Sequence, residues 1–311
     1  MTARVLVTGS NGFIGRHLCQ YLAERGYRVR AAVRSTSALA PATEIAVVGD
    51  LGARTEWSAA LRDVDFVVHA AARTRGARDA ESFLETNVQG TRSLATAAGV
   101  AGVGRLVLLS TVKVNGEENN LRALGPDDPP RPQDHYADSK LRAEQALTDI
   151  CRGSGMPYAI VRAPLVYGPG VGGNFLRMMR WVDQEYPLPF GAVHNRRSLV
   201  GVWNLIDLVA QLLDGSWPDR IWMASDDEDL STPELLRRLA GAMGRKPRLI
   251  AVPENLLRLA GHITGRRAEI QRLCGSLFVD VSRTRALLGW KPPVDVAVGL
   301  ARTAAWFAGR N

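Results

Sequence analysis

Tyr136 and Lys140 are the residues of this chain that are best suited to acid–base chemistry. Their spacing of four residues places both side chains on one face of a predicted helix, about one turn apart. A free phenol titrates at about pH 10, and a neighbouring ammonium favours the phenolate and lowers its pKa. The pair therefore predicts a general acid/base that exchanges a proton with a sugar or alcohol hydroxyl. Because the spacing also arises by chance, this prediction depends on the elements around the pair.

A glycine-rich turn near the N-terminus joins a predicted strand to a predicted helix. The strand is Val5–Thr8, an apolar run typical of a buried parallel strand, and Gly9, Gly12 and Gly15 follow it. Small residues at these positions permit a tight turn and a close approach of the backbone to a pyrophosphate at the helix N-terminus. The sequence therefore predicts a dinucleotide cofactor bound to a Rossmann-type, doubly wound parallel sheet of the α/β class.

The end of the second predicted strand, Arg28–Val33, selects between the two nicotinamide dinucleotides. NAD-binding folds usually carry an acid there for the ribose diol, but this chain has Val33 followed by Arg34. A guanidinium can pair with a 2′-phosphate. We therefore predict a preference for NADP(H), with NAD(H) as the alternative if Arg34 is only a surface arginine.

Two further predicted strands end in residues that suit a cofactor. The strand at 46–51 places Asp50 where it can contact adenine. The strand at 65–72 ends in three alanines, which would let the cofactor lie against the backbone. Arg73 and Arg75 follow at its carboxyl end, where ligands bind in open sheets and where either could meet phosphate.

Composition narrows the class of protein. The 311 residues are 46% hydrophobic and 23% charged, as in ordinary globular enzymes. The net charge of +8 comes from dispersed Lys and Arg rather than a stripe, so we expect no nucleic-acid partner.

No apolar run approaches the length of a membrane span, so we expect no membrane partner. Three scattered cysteines indicate free thiols and no metal site. A strand follows the first residues directly, so we expect no signal peptide and a cytoplasmic protein.

The regular alternation of strands and helices ends near residue 170. We predict a dinucleotide-binding domain at 1–170, completed by a return segment at about 198–228. A smaller, mostly helical lobe for the substrate follows at 171–197 and 229–311. Within that lobe Arg196 or Arg197 could hold a diphosphate as a fork.

Motifs along the whole chain agree with this fold. They are Gly9/Gly12/Gly15, Asp50-Leu51, His69-Ala-Ala, Asn87-Val-Gln-Gly-Thr, Ser110-Thr111, Val114-Asn-Gly116, Tyr136 with Lys140, the run from Arg162 to Gly170, and Leu288-Gly-Trp-Lys-Pro292. The set resembles the extended short-chain dehydrogenase/reductase superfamily, and within it the NAD-dependent epimerase/dehydratase family of nucleotide-sugar enzymes.

The resemblance implies a role for each site residue. Thr111 would hydrogen-bond the reacting hydroxyl or ketone, Tyr136 would transfer the proton, and Lys140 would hold the nicotinamide ribose and tune Tyr136. The implied cofactor-binding residues are Gly9, Asn11, Gly12, Phe13, Ile14, Gly15, Arg34, Asp50, Leu51, Ala70, Ala71, Ala72, Asn87, Tyr136, Lys140, Pro164 and Val166. The implied substrate-binding residues are Lys113, Asn174, Arg197 and Arg272. The resemblance also implies a homodimer formed through helices near 80–100 and 136–153.

The residues after Thr111 separate the reactions of the resembled family. A 4,6-dehydratase carries an Asp-Glu pair there, whereas this chain has Val112 and Lys113, which argues against dehydration. Sugar-acid decarboxylases commonly have a Glu at the position of Lys113, so decarboxylation is also disfavoured. Val33 and Arg34 favour a 4-keto reductase that consumes NADPH. The stretch 110–117 together with 132–136 resembles reductases of a UDP-4-keto-6-deoxy-N-acetylhexosamine and also UDP-glucose 4-epimerases, and we predict the reductase. The alternative is a UDP-glucose or UDP-N-acetylglucosamine 4-epimerase with bound NAD. A non-catalytic dinucleotide sensor is a third possibility, against which the complete Thr-Tyr-Lys set argues.

Overall fold

A parallel sheet organises the first of two units into which the chain divides. The structure, a computed structural model, describes residues 2–35, 42–74, 80–119, 122–218 and 220–310, so Arg75 lies outside the described residues. The described strands are β1 (Arg4–Thr8), β2 (Arg28–Val33), β3 (Glu44–Val47), β4 (Phe66–His69), β5 (Arg105–Thr111), β6 (Tyr158–Ala163), β7 (Leu165–Tyr167), β8 (Leu199–Gly201) and β9 (Arg220–Met223). Seven of them pair in the order β3-β2-β1-β4-β5-β6-β9, and each pair is parallel. This confirms the predicted doubly wound α/β fold.

Helices follow the strands in the alternation that a parallel sheet requires. The described α-helices are α1 (Phe13–Glu24), α2 (Ala80–Phe83), α3 (Gly90–Val100), α4 (His135–Ser154), α5 (Gly173–Asp183), α6 (Val202–Asp214), α7 (Thr232–Ala242), α8 (Glu254–Ile263), α9 (Arg267–Cys274), α10 (Ser282–Leu288) and α11 (Val296–Ala308). None of them is long and apolar enough to cross a membrane, within the part of the chain that is described.

The first unit consists of Met1–Gly116, Pro126–Ala163 and Ile206–Met223. Its core lies between the sheet and the helices, where Leu106 and Leu108 of β5 pack with Leu94 of α3 and Leu147 of α4. Every residue of β5 and of β6 is buried, which is the burial expected for strands covered on both faces. The order of strands reverses at β1 and β4, so the crevice beyond their carboxyl ends is the expected place for a ligand.

The third strand lies earlier in the chain than predicted. The prediction was a strand at 46–51, whereas β3 spans Glu44–Val47. Glu44 begins the strand because its carboxylate pairs with Arg4, Arg28 and Arg30 of the two preceding strands, at 3.3, 2.9 and 2.6 Å. Gly49 has a φ of +72°, a conformation that ends a strand. Asp50 therefore follows the strand on a bend instead of closing it.

The predicted helix at 79–99 is interrupted. A six-residue π-helical segment, Leu84–Gln89, separates α2 from α3. Such segments insert an extra residue into a helix and are frequent at functional sites. Asn87 and Val88 lie in this segment and are both buried.

The second unit consists of Glu117–Gly125, Pro164–Leu205 and Ala224–Asn311. It contains a two-stranded parallel sheet of β7 and β8 and is otherwise mostly helical, as predicted for the C-terminal part. The division differs in detail from the expected one. Residues 117–125 and 164–170 belong to this unit, and the segment that returns to the first unit is Ile206–Met223 rather than about 198–228.

Candidate functional site

The turn between β1 and α1 requires glycine at two positions. Gly9 has a φ of +68°, and a Cβ there would lie 2.7 Å from the Ala71 nitrogen. A Cβ on Gly15 would lie 2.1 Å from the Gly9 carbonyl oxygen. The Gly12 amide donates to that same oxygen at 2.9 Å. These contacts press the turn against the residues that follow β4.

The first turn of α1 fits the pyrophosphate of a dinucleotide. Gly12 provides no side chain to cap the helix, and Phe13 and Ile14 begin a first turn without acidic residues. The unpartnered N–H groups and the helix dipole favour an anion there. Asn11 gives a second observation, because its buried amide oxygen finds no hydrogen-bond partner in the described chain and, as an acceptor, would suit a hydroxyl group of the dinucleotide and not its pyrophosphate. The residues present therefore fit a bound dinucleotide.

Arg34 follows the last residue of β2 and is exposed to solvent. Its side chain is 80% exposed, and its Nε lies 3.6 Å from Oδ1 of the equally exposed Asp50. An exposed pair at this distance contributes little to stability. The guanidinium can therefore leave Asp50 for a phosphate without a large energetic cost.

A buried hydrogen-bond network begins at His69, the last residue of β4. The Thr91 hydroxyl donates to the Asn87 carbonyl at 2.6 Å, so the Thr91 oxygen accepts from Nε2–H of His69 at 3.0 Å. Nδ1 of His69 is then unprotonated and accepts from the Thr8 hydroxyl at 2.6 Å. The Thr8 oxygen in turn accepts from the Ala71 amide at 3.2 Å. The directions of these bonds fix one tautomer of the imidazole.

His69 must stay neutral to keep this network. Burial and, to a smaller extent, the charge of Lys140 together lower the pKa of its imidazole to about 3. A protonated ring would carry a hydrogen on Nδ1, so the Thr8 hydroxyl would lose the acceptor for its own hydrogen and would have to reorient. The residue is a packed strand residue and not an exposed acid or base.

The network continues through Asn87 to the start of α4. The Asn87 side chain accepts from the Arg73 amide at 2.7 Å and donates to the Arg73 carbonyl at 3.0 Å. It also donates to the Ser139 hydroxyl at 2.9 Å, and that hydroxyl donates to the Tyr136 carbonyl at 2.8 Å. A continuous series of hydrogen bonds therefore connects the residue after β4 with the backbone of the candidate catalytic tyrosine.

Tyr136 lies in the first turn of α4, which Asp134 caps by accepting from the Ala137 amide at 2.7 Å. Burial raises the pKa of the Tyr136 phenol to about 12, and the charge of Asp134 raises it as well. The prediction that Lys140 lowers this pKa is therefore wrong for this structure, because desolvation of the phenolate dominates. At neutral pH Tyr136 is a proton donor.

Lys140 is fully buried one turn further along α4. Burial lowers the pKa of its ammonium to about 8, and the carboxylate of Glu144 opposes this by raising it. Tyr136, Lys140 and Glu144 follow at intervals of four residues and so share one face of the helix. Glu144 was not among the predicted site residues, although this spacing was the signal for it.

Glu144 belongs to a buried ion pair. Its carboxylate accepts from Nη2 of Arg162 at 2.6 Å and from Nε at 3.1 Å. It also accepts a short hydrogen bond from the Ser110 hydroxyl. Nη1 of Arg162 donates to the Asn115 side chain at 3.0 Å. This network ties α4 to the carboxyl end of β5, next to Thr111.

Thr111 ends β5 and is buried, and its hydroxyl oxygen accepts from the Lys113 amide at 3.3 Å. The Lys113 ammonium lies 2.5 Å from the carboxylate of Asp134, the residue that caps α4. The short segment after β5 is thereby fixed to the start of the helix that carries Tyr136. Lys113, predicted to bind substrate, is held here by an ion pair of its own.

The predicted substrate-binding residues other than Lys113 lie in the second unit. Asn174 is in α5, and its amide oxygen accepts from Arg177 at 3.2 Å. Arg197 donates to the Gly275 carbonyl at 2.8 Å. Burial lowers the pKa of its guanidinium, Glu117 and Glu118 raise it, and Arg272 lowers it. Arg197 and Arg272 are thus close enough for their charges to interact.

Two guanidinium groups of this unit have a buried nitrogen that finds no partner in the described chain. These atoms are Nε of Arg177 and Nε of Arg272. An anion with several oxygens, such as a diphosphate, would satisfy donors of this kind. Pro164 and Val166 also belong to the second unit, with Val166 paired to Val200 in the β7–β8 sheet.

Comparison with known proteins gives the family. The profile of the NAD dependent epimerase/dehydratase family matches residues 5–220. The chain belongs to this family. The glycine turn, the Asn87 segment and the Tyr136–Lys140 pair all fall within the matched region.

Three proteins illustrate the range of similar sequences. A UDP-glucose 4-epimerase of Vibrio cholerae is 37% identical over 320 residues, covering 100% of this chain and 97% of its own. A ceramide reductase of Caulobacter vibrioides is 31% identical, covering 93% of this chain and 86% of its own. The crystal structure of DesIV, a dTDP-glucose 4,6-dehydratase from Streptomyces venezuelae with NAD bound, superposes with a TM-score of 0.78 at 28% identity. That match covers 98% of this chain and 97% of DesIV.

Sequence reasoning identified the groups that would touch a cofactor or substrate but missed those that hold them. Glu144, Arg162 and Ser139 contact other protein groups in the structure, and none of them stood out as a chemical motif. Arg177 was also missed, although it lies three residues after Asn174, one turn away on α5. Each of these residues lies in the same unit as the predicted residue that it supports.

Proposed function

We propose that this member of the epimerase/dehydratase family uses a bound nicotinamide dinucleotide to oxidise and reduce carbon 4 of a UDP-sugar. The observation that carries the proposal is one face of α4, where the half-buried Tyr136 and the fully buried Lys140 lie one turn apart, in the same unit as the glycine turn. A sensor that only bound a dinucleotide would need neither of these two groups. A homodimer and a cytoplasmic location stay predictions.

The residues of this chain supply the proton chemistry. Tyr136, protonated at neutral pH, can donate its proton to the carbon-4 oxygen when carbon 4 is reduced, and its phenolate would take the proton of the carbon-4 hydroxyl when carbon 4 is oxidised. The Thr111 hydroxyl would hydrogen-bond the same oxygen and polarise it. Lys140 places a positive charge on the face of α4 that carries Tyr136, and Glu144 helps to keep that charge at neutral pH. A bound nicotinamide would supply the hydride chemistry of the reaction.

The second unit offers groups for the nucleotide diphosphate. Arg197 and Arg272 are cationic donors. The Nε of Arg272 is buried and has no partner in the described chain, as expected of a donor that binds an anion of the substrate. Asn174 and Arg177 lie one turn apart on α5 and can add neutral and charged donors. We infer that these four residues bind the diphosphate of the substrate.

The first candidate reaction is 4-epimerisation of a UDP-hexose. It is supported by the Vibrio cholerae relative, which is similar to this chain from end to end. The absence of an Asp-Glu pair after Thr111, where Val112 and Lys113 stand, argues against dehydration. The expected result is that purified protein releases NAD on denaturation and interconverts UDP-glucose and UDP-galactose forms without net change in nicotinamide absorbance.

The second candidate is a reductase of a UDP-4-keto-6-deoxy-N-acetylhexosamine. It is favoured by Arg34, which is exposed and stands where an acid for the NAD ribose is usual. Protein that is isolated without cofactor and that oxidises NADPH in proportion to added keto sugar would decide for the reductase. Failure of both substrate classes to turn over, with a dinucleotide bound, would contradict the proposal.

Replacing Tyr136 by Phe tests the role of the phenol. We expect Tyr136→Phe to lower turnover by roughly 10²–10⁴-fold, the range typical of a lost general acid, with cofactor binding unchanged. Tyr186→Phe is the matched control, because Tyr186 is exposed and lies in the second unit. Full activity of Tyr136→Phe would show that the proton comes from elsewhere.

A further inference from the structure

Helix α8 exposes a continuous apolar face. Leu257 and Gly261 are its buried residues, whereas Leu256, Leu259 and Ile263 are 52%, 56% and 78% exposed. Ala260 is exposed as well. We call Leu256, Leu259, Ala260 and Ile263 the apolar ridge of α8.

The spacing of the ridge makes it one surface and not scattered side chains. Positions 256, 259, 260 and 263 follow the i, i+3, i+4, i+7 pattern of a single helix face. A surface helix normally turns such a stripe to the core, and isolated exposed apolar residues need no explanation, but a continuous stripe does. The cavity beside α8 does not account for it, because Arg258 and His262, from a different face of the helix, line that cavity with Glu118.

Cationic side chains precede and follow α8 in the chain. Lys246 and Arg248 precede α8, and Arg266 and Arg267 follow its last residues; all four are exposed. None of the four side chains forms an ion pair with a carboxylate of the described chain, although the Lys246 backbone amide donates to Glu185 at 3.5 Å; Arg245, in contrast, pairs with Asp183 at 2.9 Å. The one acid of α8, Glu254, is neutralised by Arg258 at 2.8 Å. The ridge is therefore apolar along its length, and the exposed cationic side chains that flank α8 in the chain have no acidic partner among the described residues.

We propose that this face of the second unit binds the surface of an anionic phospholipid bilayer, with α8 lying in the plane of the interface. An apolar stripe that enters the headgroup boundary, with Lys and Arg reaching anionic headgroups, is the composition of interfacial helices. At 10 residues α8 is about 15 Å long, half of a hydrocarbon core, so it lies on the membrane and does not span it. The expectation of no membrane partner was based on the lack of a span and did not consider this kind of contact.

A second copy of the chain fits the ridge less well. In a two-fold contact of the ridge with itself, the cations of one copy would approach those of the other. Like charges facing each other in an interface cost several kcal/mol. The charge pattern is complementary to an anionic surface and not to itself.

Flotation of the full chain with vesicles tests the proposal. We expect binding to vesicles of phosphatidylcholine with about one-third phosphatidylglycerol, weaker binding to phosphatidylcholine alone, and weakening by salt. Leu259→Ser and Ile263→Ser should each lower the partition coefficient by about tenfold. Lys246→Gln and Arg248→Gln should each lower it by about fivefold.

Matched controls come from other exposed residues of the second unit. Leu287→Ser on α10 and Val298→Ser on α11 replace apolar side chains that are 42% and 43% exposed, and Lys291→Gln removes an exposed charge. We expect all three to bind vesicles like the unaltered chain. Thermal melting of each variant shows whether it is folded, and Ile263→Ser, at the most exposed position, is the least disruptive of the ridge changes.

Three results would overturn the proposal. The first is no flotation with anionic vesicles. The second is flotation that the charge variants weaken but the ridge variants do not, which would mean adsorption of a basic protein without insertion. The third is a change of molecular mass of the ridge variants in sedimentation velocity without any vesicle binding, which would assign the ridge to a contact between copies.

Discussion

His69 makes the stability of the first unit depend on pH in a calculable way. Its pKa is about 6.5 in an unfolded chain and about 3 in the folded state, where burial keeps the ring neutral. Between these values the unfolded state binds one proton more than the folded state, so the free energy of unfolding falls as the pH falls. The contribution of His69 is complete above the unfolded pKa and is lost progressively below it. From about pH 7.5 to about pH 5 the loss is about 2 kcal/mol.

The variant His69→Gln isolates this effect. Glutamine does not titrate, and its amide can still donate to Thr91, although the acceptor for Thr8 is lost. At pH 7.5 we expect the variant to be less stable than the unaltered chain, because a buried hydrogen bond is broken. On lowering the pH, carboxylates affect both proteins alike, and only the unaltered chain loses the additional 2 kcal/mol or so.

The assay is urea unfolding of both proteins at the two pH values, followed by circular dichroism. The difference between their free energies of unfolding should shrink by about 2 kcal/mol at the lower pH. A difference that is the same at both pH values would refute the reasoning, because it would mean that His69 is already protonated in the fold or is accessible to water. A change in the urea slope would indicate instead that the unfolded states differ.

Three further predictions follow from individual contacts. Gly15→Ala should lower the melting temperature and weaken dinucleotide binding at least about tenfold, because the added Cβ would clash with the Gly9 carbonyl. Gly153→Ala in α4 is the control, because its added Cβ contacts nothing and should leave the melting temperature unchanged or slightly raised. Glu144→Gln should lower the free energy of unfolding by about 3 kcal/mol in chemical denaturation, because the charge of Arg162 stays buried without its partner. Arg142→Gln, on the exposed side of α4, is the control. Arg34→Ala should weaken NADP(H) binding about tenfold in calorimetry and leave NAD(H) binding unchanged, and equal effects on both would show that Arg34 does not read the 2′-phosphate.

The sequence predicted those features that depend on a few neighbouring residues. The glycine turn was predictable because only glycine tolerates the φ of Gly9 and the close contact at Gly15. The parallel sheet was predictable from buried apolar runs such as β5 and β6. β3 was misplaced because it is an edge strand, whose exposed Ile45 and Val47 and leading Glu44 give no continuous apolar run.

Features that depend on contacts between distant segments were beyond sequence reasoning. The π-helical segment at Leu84–Gln89 has no periodicity of its own, yet it is the segment that carries Asn87, which contacts Arg73 and Ser139. The pKa of Tyr136 was predicted in the wrong direction, because the charge of Lys140 could be inferred from spacing but the extent of burial could not.

The same burial explains why Glu144 matters for a site that it does not touch. A lysine as deeply buried as Lys140 would lose its proton near neutral pH if no opposing charge were present. Glu144 supplies that charge one turn away, but an isolated buried carboxylate would itself be unstable, so Arg162 and Ser110 bind it. Arg162 is held in turn by Asn115, on the segment that follows Thr111. The positive charge that the proposed chemistry needs beside Tyr136 therefore depends on a network that reaches back to the strand carrying Thr111, and disrupting the network should disturb both groups together.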